Sequence, residues 1–347
     1  MLDNGVSATP YGDGLQPLNG AVVTAWSFKL TRMRIHPASV VHRARVVVVL
    51  TGFVAGTGSL LIAADEPDRP PPPALQRVGV QVLTSPQLPR GGRSILPEFR
   101  VFAHYGAPQA RQLGILGIGS PANAAVRLNR QARAYAGKNR RAVLPAMELI
   151  GVIASAGPGA DGRYRYRQTK KVIRTYLAAA RTAKALLILD IQPGRADFVT
   201  EVKALADVLI EPDVGLALDP EWRMRPTQVP GRVIGSVDAA EINEVTAWLS
   251  DFVNAGNLPD KLVIVHQFTD GMIRRKKGLK VRPGIDMVLN ADGFGTAAAK
   301  TSTYGRVVRN RGPFHTGFKL FFVEDTGLMS PEQVLRLRPQ PEVVIYE

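Results

Sequence analysis

Two carboxylic acids and a tryptophan end one apolar run of the chain, in the segment LDPEW at residues 218–222. Side chains two apart share a face of a β-strand, so Asp219 and Glu221 are expected to point the same way. Two carboxyl groups at short range do not both ionise cheaply, so one keeps its proton while the other acts as a base or nucleophile. Hydrolysis of a glycosidic bond uses such a pair. The flat ring of Trp222 beside the pair could stack on a sugar.

Polar side chains also end other apolar runs. Asp190 and Gln192 share a strand face, as do Asn290 and Asp292. Charged groups at a strand end are costly to bury unless they are paired, bound to a ligand or solvated in a cleft, so this recurrence indicates a working site. The candidate catalytic residues are Glu221, Asp219, Asp190 and Glu324. The candidate substrate-binding residues are His104, Tyr105, Glu148, Gln192, Trp222, His266, Gln267, Asn290 and Asp292.

Some polar residues near the strand ends have a second interpretation. Gln192, Glu148 and Asp325 could instead cap helices or belong to ion pairs in loops. Tyr164 and Tyr166 lie in a glycine-rich loop after the second run, and they could either stack on a sugar at the rim or pack in the ordinary way.

The elements that would position these residues are eight apolar runs between Phe99 and Tyr346, which alternate with helix-like stretches. In order, the runs read FRVFAHYG, VLPAMELIGVIAS, LLILDIQPG, VGLALDPEW, LVIVHQF, IDMVLNADGFG, FKLFFVED and PEVVIYE. Eight such units predict an α/β fold, the closed (β/α)8 or TIM barrel, whose strand ends meet at one mouth. A doubly wound open sheet is the rival architecture. It is disfavoured because no GxGxxG follows the first run and because nearly every run ends in polar residues.

Capping signals mark the expected helix starts. The dipeptide Ser120-Pro121 has an N-cap residue followed by a first-turn proline. The pairs Asp238/Glu241 and Ser330/Gln333 have the spacing of capping boxes. Other helices are expected from about residue 168 to 184 and from near Asp197.

The chain before the barrel divides into three parts. Residues 1–45 form a basic N-terminal region, and residues 46–64 form an uncharged apolar stretch of membrane-spanning length, typical of a signal peptide or a membrane anchor. A buried core helix is the alternative for that stretch. Residues 65–98 are rich in Pro and Gly and predict an extended linker, with the barrel domain following over 99–347. The expected location is therefore extracytoplasmic, secreted or anchored to a membrane through the N-terminal segment.

Composition narrows the partners. The 347-residue chain carries a formal net charge of +15 and has no cysteine, which excludes disulfides, thiolate metal sites and a cysteine nucleophile. A basic surface favours anionic polymers. The interleaved aromatic and basic residues of nucleic-acid modules are missing, so no nucleic-acid partner is expected. We expect a carbohydrate or cell-envelope polymer as partner, with no cofactor and no metal.

From residue 99 to 347 the order of elements resembles the (β/α)8 barrels of glycoside hydrolases, and the chain also resembles exported actinobacterial-type proteins. In the large retaining clan of these barrels, an acid–base glutamate ends the fourth strand and a nucleophilic glutamate ends the seventh. By position, the resemblance implies Glu221 and Glu324 for these roles. The clan usually has Asn-Glu at the fourth strand, where this chain has Asp219, Pro220 and Glu221.

The main prediction is an extracytoplasmic glycoside-hydrolase-like enzyme that uses strand-end carboxylates to hydrolyse a polysaccharide. Two alternatives stay open. A sugar-binding barrel without catalysis would use the same carboxylates as hydrogen-bond acceptors. A metal-dependent hydrolase such as a phosphodiesterase would use oxygen and nitrogen ligands, although no HxH or HExxH spacing is present. Its candidate ligands are His104, Glu148, Asp190, Asp219, His266 and Asp292.

Overall fold

The computed structural model describes residues 85–137 and 141–347. The basic region, the signal or anchor segment and most of the linker that the sequence predicts lie outside the described residues. Within the described ranges, no helix is long and apolar enough to cross a membrane.

Eight parallel strands close into a barrel, as the sequence predicts. The strands are β1 (Phe99–Gly106), β2 (Ala142–Ala154), β3 (Leu186–Ile191), β4 (Val214–Leu218), β5 (Lys261–Gln267), β6 (Ile285–Ala291), β7 (His315–Leu320) and β8 (Val343–Tyr346). Strands consecutive in this order are neighbours in the sheet, and β1 pairs in parallel with both β2 and β8, which closes the barrel. Several strands end earlier than their apolar runs. Asp219, Glu221 and Glu324 therefore lie in the loops that follow β4 and β7.

In the described residues, helices follow six of the strands. The helices are α1 (Pro121–Ala132), α2 (Lys170–Thr182), α3 (Phe198–Lys203), α4 (Ala206–Leu209), α5 (Ala239–Ala255), α6 (Ala297–Arg309) and α7 (Pro331–Leu335). Both α3 and α4 lie between β3 and β4. The connection from β5 to β6 contains two 3-10 turns, Asp270–Met272 and Lys276–Gly278, in place of an α-helix.

Short polar side chains determine where the helices begin. Ser120 caps α1, and Ser330 begins the predicted capping box of α7. Asp238 caps α5, but Glu241 does not complete a box there. Its carboxylate instead accepts hydrogen bonds from the first backbone N–H of α3 and from an arginine side chain. Glu241 therefore links two neighbouring helices, a tertiary contact that helix spacing alone does not reveal.

Alternation along the strands divides the core into two layers. In β1, Ala103 packs inside the barrel, whereas Phe102 packs against the helices. In β4, Ala217 faces the interior and its neighbours Leu216 and Leu218 face the helices. Alternation therefore holds along this strand, but the prediction that Glu221 shares a strand face with Asp219 was wrong because the strand ends at Leu218 and Glu221 lies in the turn that follows. The next interior position after Ala217 is Asp219, at the mouth.

Residues 85–98, which composition assigns to the linker, cross the base of the barrel, where the strands begin. Leu88, Ile95 and Leu96 are buried against the interior cluster. The backbone oxygen of Arg93 accepts a hydrogen bond from the N–H of Asp260, directly before β5. Tertiary packing therefore starts before β1.

Candidate active site

The mouth of the barrel, where the strands end, collects polar and ionisable side chains at interior-facing positions. These residues are Tyr105 on β1, Glu148 on β2, Asp190 and Gln192 at the end of β3, Asp219 after β4, His266 on β5, Asn290 and Asp292 at the end of β6, and Lys319 on β7. All are buried, and Glu347, after β8, joins them with part of its side chain exposed. This is the end of a TIM barrel at which active sites lie.

His266 connects β2, β5 and β6 through its two ring nitrogens. Its Nε2 lies 2.8 Å from Glu148 Oε1, and its Nδ1 lies 2.9 Å from Asp292 Oδ2 and 3.1 Å from Asn290 Nδ2. Asn290 fits against β7 because Gly317 has no side chain, and a Cβ there would stand 2.5 Å from Asn290 Oδ1. Burial lowers the pKa of His266, but the two carboxylates outweigh burial and raise that pKa well above its ordinary value.

Lys319 is a buried cation between two carboxylates. Its Nζ lies 2.7 Å from Glu347 Oε2, 3.2 Å from Asp292 Oδ2 and 3.6 Å from the centre of the Tyr105 ring. Burial lowers the pKa of Lys319, but Asp292 and Glu347 raise it well above the usual value. An amine must lose its proton to attack a carbonyl carbon. The two carboxylates therefore favour the charged form of Lys319, which suits it to hold negative groups in place.

Asp190 is held by a chain of hydrogen bonds that begins on β1. The Tyr105 hydroxyl donates to Asp190 Oδ2 at 2.9 Å, and Gln192 Nε2 donates to the tyrosine oxygen at 3.1 Å. The amide oxygen of Gln192 accepts from the backbone N–H of Ala154 at 3.1 Å. Burial raises the pKa of Asp190 to about 7, with His266 opposing the shift and Glu148 adding to it. Tyr105 and Gln192 thus orient this carboxyl group.

Asp219 and Glu221, the pair singled out in the sequence, occupy a single 3-10 turn. Asp219 caps the turn, and its Oδ1 accepts a hydrogen bond from the Glu221 N–H at 3.3 Å. Asp219 is buried, whereas Glu221 and Trp222 are half-buried at the rim. Burial raises the pKa of Asp219 to about 8, with Asp190 adding to the shift. Burial, reinforced by Asp219, also raises the pKa of Glu221 well above its usual range. Both carboxyl groups therefore hold a proton more readily than an ordinary exposed carboxyl group does.

Asp292 has the opposite protonation state. Burial works against its ionisation, but Lys319 and His266 together hold its pKa well below the usual range. The mouth therefore contains carboxyl groups whose pKa is raised beside one whose pKa is lowered.

Two predicted substrate-binding residues point away from the mouth. His104 faces the helix layer, where its Nε2 lies 2.8 Å from Gln131 Oε1 on α1. Gln267 also faces outward, donating to the Thr269 backbone oxygen at 3.0 Å and accepting from Lys276 Nζ at 2.7 Å. The prediction was wrong for both because each lies one residue from an interior position, and a shift of one residue reverses the face of a strand.

Glu324 does not occupy the end of a strand. It lies exposed in the turn after β7, four residues beyond Leu320. Its neighbour Asp325 forms an ion pair with Lys300, with Oδ1 3.0 Å from Nζ. This agrees with the second interpretation of the sequence, in which Asp325 belongs to an ion pair in a loop. The sequence predicts one strand over the apolar run FKLFFVED, but the strand ends at Leu320, and Phe322, Val323 and Glu324 are exposed.

The aromatic side chains lie at the rim. Trp222 is half-buried, and Tyr166 is 42% exposed on the short strand Arg165–Arg167, which pairs with the end of β2. Tyr164 is half-buried, with the guanidinium of Arg195 3.9 Å from its ring centre. Trp222 and Tyr166 thus keep ring surface available to a ligand.

Lys319 and Glu347 are site residues that the sequence interpretation missed. Gly317 and Lys319 share the interior face of β7, and Val343, Ile345 and Glu347 share that of β8. The same parity argument that identified Asp219 would have found both. The predicted site residue of the seventh run is Glu324 rather than Lys319, and the prediction gives no role to Glu347.

Exposure differs between the deep and the outer residues of the cluster. Glu148, Asp190 and His266 have 0% exposure, whereas Glu221 and Glu347 are partly exposed. A separate cavity of about 240 Å³ opens at the base of the barrel, with Asp260, Asp286 and His315 in its wall. That cavity is at the opposite end of the strands from the ionisable cluster, so we place the candidate chemistry at the mouth.

The sequence matches no protein-family model and no curated protein. Among solved structures, the chain is similar to the N-acetylneuraminate lyase of Proteus mirabilis. The two share 11% sequence identity with a TM-score of 0.36, over 71% of this chain and 69% of that one. A similarity at this level does not indicate which reaction the chain catalyses.

Proposed function

We propose that the barrel is a glycoside-hydrolase-like enzyme in which Glu221 protonates the leaving oxygen. The observation that carries the proposal is the clustering of six carboxyl groups at one mouth, with Asp292 paired to Lys319 and His266 while Asp219 and Glu221 have no cation partner of their own among the described residues. Asp219 and Glu221 have raised pKa values, whereas Asp292 is ionised against Lys319. Groups whose environments push their pKa values apart divide into acid and base roles, and glycosidic hydrolysis needs one of each.

Position in the mouth distinguishes the roles of these groups. Glu221 is the acid because it is half-buried at the rim, where a substrate can reach it. The carboxylate of Asp219 accepts a hydrogen bond from the backbone N–H of Glu221. Asp292 is the ionised partner, acting as nucleophile or as base toward water. The sequence interpretation gave this second role to Asp190, Asp219 or Glu324. We prefer Asp292 because the lysine ion pair keeps it charged.

The surroundings support hydrolysis of a sugar polymer over chemistry through a lysine imine. The ion pairs of Lys319 with Asp292 and Glu347 favour its charged form, whereas imine formation requires the uncharged amine. The rings of Trp222 and Tyr166 offer flat apolar surface to a sugar at the rim. An extracytoplasmic polysaccharide substrate, suggested by the composition of the N-terminal residues, is part of this proposal.

The test compares leaving groups on a panel of aryl and alkyl glycosides. The Glu221→Gln variant should lose about 10²- to 10⁴-fold in kcat/KM on alkyl glycosides, whose leaving oxygen needs a proton. It should lose much less on 4-nitrophenyl glycosides, because nitrophenolate leaves without help. Glu324→Gln, which alters an exposed carboxylate outside the cluster, is the matched control and should retain full activity. Full activity of Glu221→Gln on an alkyl glycoside would sink the proposal.

A further inference from the structure

Three buried side chains form a compact group beneath Asp219 and Glu221. Glu148 on β2, Asp190 at the end of β3 and His266 on β5 each offer one ligand atom, and these atoms all lie within 4.8 Å of one another. All three side chains have 0% exposure. Two carboxylates and an imidazole are a donor set suited to first-row divalent metals.

Two oxygens of this group have no hydrogen-bond partner in the described residues. They are Glu148 Oε2 and Asp190 Oδ1, both inaccessible to solvent. Leaving a buried polar atom unsatisfied costs about 1–3 kcal/mol, and more when the group is charged. Other carboxylates buried in this barrel have partners, as Asp292 does in Lys319 and Asp325 does in Lys300. The two unpartnered oxygens therefore point to a ligand that the protein atoms do not supply.

Hydrogen bonds around the group orient it as metal ligands are oriented. The Nδ1 of His266 lies 2.9 Å from Asp292 Oδ2, so a proton on Nδ1 leaves Nε2 free to face Glu148. Metal-bound histidines commonly donate their other ring N–H to a carboxylate in this way. On the opposite side, the Tyr105 hydroxyl holds Asp190 Oδ2, which leaves Oδ1 available.

The geometry points to a binding site for one divalent transition-metal ion, of the Mn²⁺ or Zn²⁺ class, ligated by Glu148, Asp190 and His266. Two ligands about 2.1 Å from one ion lie at most about 4.2 Å apart, so the three side chains need to close by only several tenths of an ångström. The ion takes the place of the proton that joins His266 Nε2 to Glu148 Oε1 across 2.8 Å. The imidazole favours transition metals over Mg²⁺ and Ca²⁺, which prefer all-oxygen sites.

The test of the metal site does not depend on the proposed glycosidase activity, because metal binding is measured without substrate. Purified full-length chain is stripped with a chelator, dialysed and titrated with Mn²⁺ and Zn²⁺ by calorimetry, with Mg²⁺ for comparison. We expect one ion per chain, with Zn²⁺ tighter than Mn²⁺ and Mg²⁺ at least a hundredfold weaker. Zn²⁺ should also raise the Tm of the native chain.

Variants locate the bound ion. Glu148→Gln and His266→Gln should each weaken Zn²⁺ binding at least a hundredfold, while Glu324→Gln should bind as the native chain does. Asp292→Asn, which alters the carboxylate behind His266, should weaken binding about 10- to 100-fold. Circular dichroism verifies that each variant is folded. If a variant does not fold, Co²⁺ added to the native chain should still give a visible absorption band of mixed oxygen and nitrogen ligation.

Three results would overturn the site. One is no saturable binding of Zn²⁺ or Mn²⁺ to the native chain. Another is binding that Glu148→Gln and His266→Gln leave unchanged, which would place the ion on the surface. The third is a Co²⁺ spectrum identical to that of the free ion in buffer.

Discussion

The base and the mouth of the barrel both bury charged side chains, but they satisfy them differently. At the base, Lys261 Nζ donates to the backbone oxygens of Glu211 and Val214, the latter at 2.8 Å. Asp213, directly before β4, accepts two hydrogen bonds from Arg181, at 2.7 and 2.8 Å. Lys261 and Asp213 therefore each have fixed partners of their own, which suits a structural role.

At the mouth, carboxyl groups outnumber the cations that face them. The carboxyl groups are Glu148, Asp190, Asp219, Glu221, Asp292 and Glu347, and the facing cations are Lys319 and His266. Burial and crowding raise the pKa values of Asp190, Asp219 and Glu221, and two carboxylate oxygens have no partner in the described residues. Unsatisfied, crowded charge of this kind is what a site for proton transfer or ligand binding requires. The comparison assigns stability to one end of the barrel and chemistry to the other.

The largest expected difference between the two ends is the loss of stability when the buried lysine at each end is replaced. Lys319→Met leaves Asp292 and Glu347 without their cation, which should lower the free energy of unfolding by about 3–5 kcal/mol. Lys261→Met removes hydrogen bonds to two backbone oxygens and should cost about 1–3 kcal/mol. Urea unfolding at pH 7 measures both. A larger loss for Lys261→Met would break the distinction between the two ends.

Buried carboxyl groups at the two ends should respond differently to pH. Asp219 has a folded pKa of about 8, so above about pH 4 the unfolded chain has lost a proton that the folded chain keeps. Its contribution to stability should therefore fall by about 1.4 kcal/mol per pH unit between these limits. Asp286, at the base, has a pKa raised by burial to about 6 and accepts the Leu96 N–H at 2.9 Å. Its contribution should stop changing near pH 6.

Asparagine variants test that difference. The stability of Asp219→Asn relative to the native chain should rise with pH up to about 8, whereas that of Asp286→Asn should level off near pH 6. Urea unfolding at pH 5, 6, 7 and 8 gives both curves. Parallel curves would contradict the contrast between the mouth and the base.

Most of the fold could be predicted from sequence because β-strand parity and helix caps are local signals. The apolar run LLILDI and the small residues Gly215 and Ala217 indicated which faces lie inside, and Asp219 and Asp190 followed from them. Parity is less informative where a run extends past its strand. The strand ends at Leu320, but Phe321 and Phe322 continue the apolar run beyond it. The sequence therefore predicts a site residue at Glu324 instead of Lys319.

The partnership among site residues could not be predicted in the same way. His266 contacts Glu148 across 118 sequence positions, and Lys319 contacts Asp292 across 27. Such pairs depend on the relative height of side chains around the barrel, which is fixed by strand register. Only the closed barrel defines that register, so the protonation states followed from the structure alone.

The smallest expected effect on activity is that of replacing His104, and His266, on the opposite face of the barrel wall, provides the comparison. His104 faces α1, and burial lowers its pKa to about 4, so it is neutral at pH 7. His104→Gln should leave kcat/KM on glycosides within about twofold, because substitutions away from the site rarely alter transition-state contacts. His266→Gln should reduce it at least tenfold. Equal losses of kcat/KM in the two variants would contradict the assignment of the interior face to the active site.

The pH dependence of kcat/KM on an alkyl glycoside tests the central claim, that Glu221 acts as an acid in an unusually protonated carboxyl cluster. The native chain should stay active well above the ordinary glutamate pKa of about 4.3, because burial and Asp219 raise the pKa of Glu221. In Asp219→Asn, the alkaline limb should move to lower pH because Glu221 loses the neighbour that raises its pKa. An alkaline limb near pH 4–5 in the native chain, or one that Asp219→Asn leaves in place, would contradict the account.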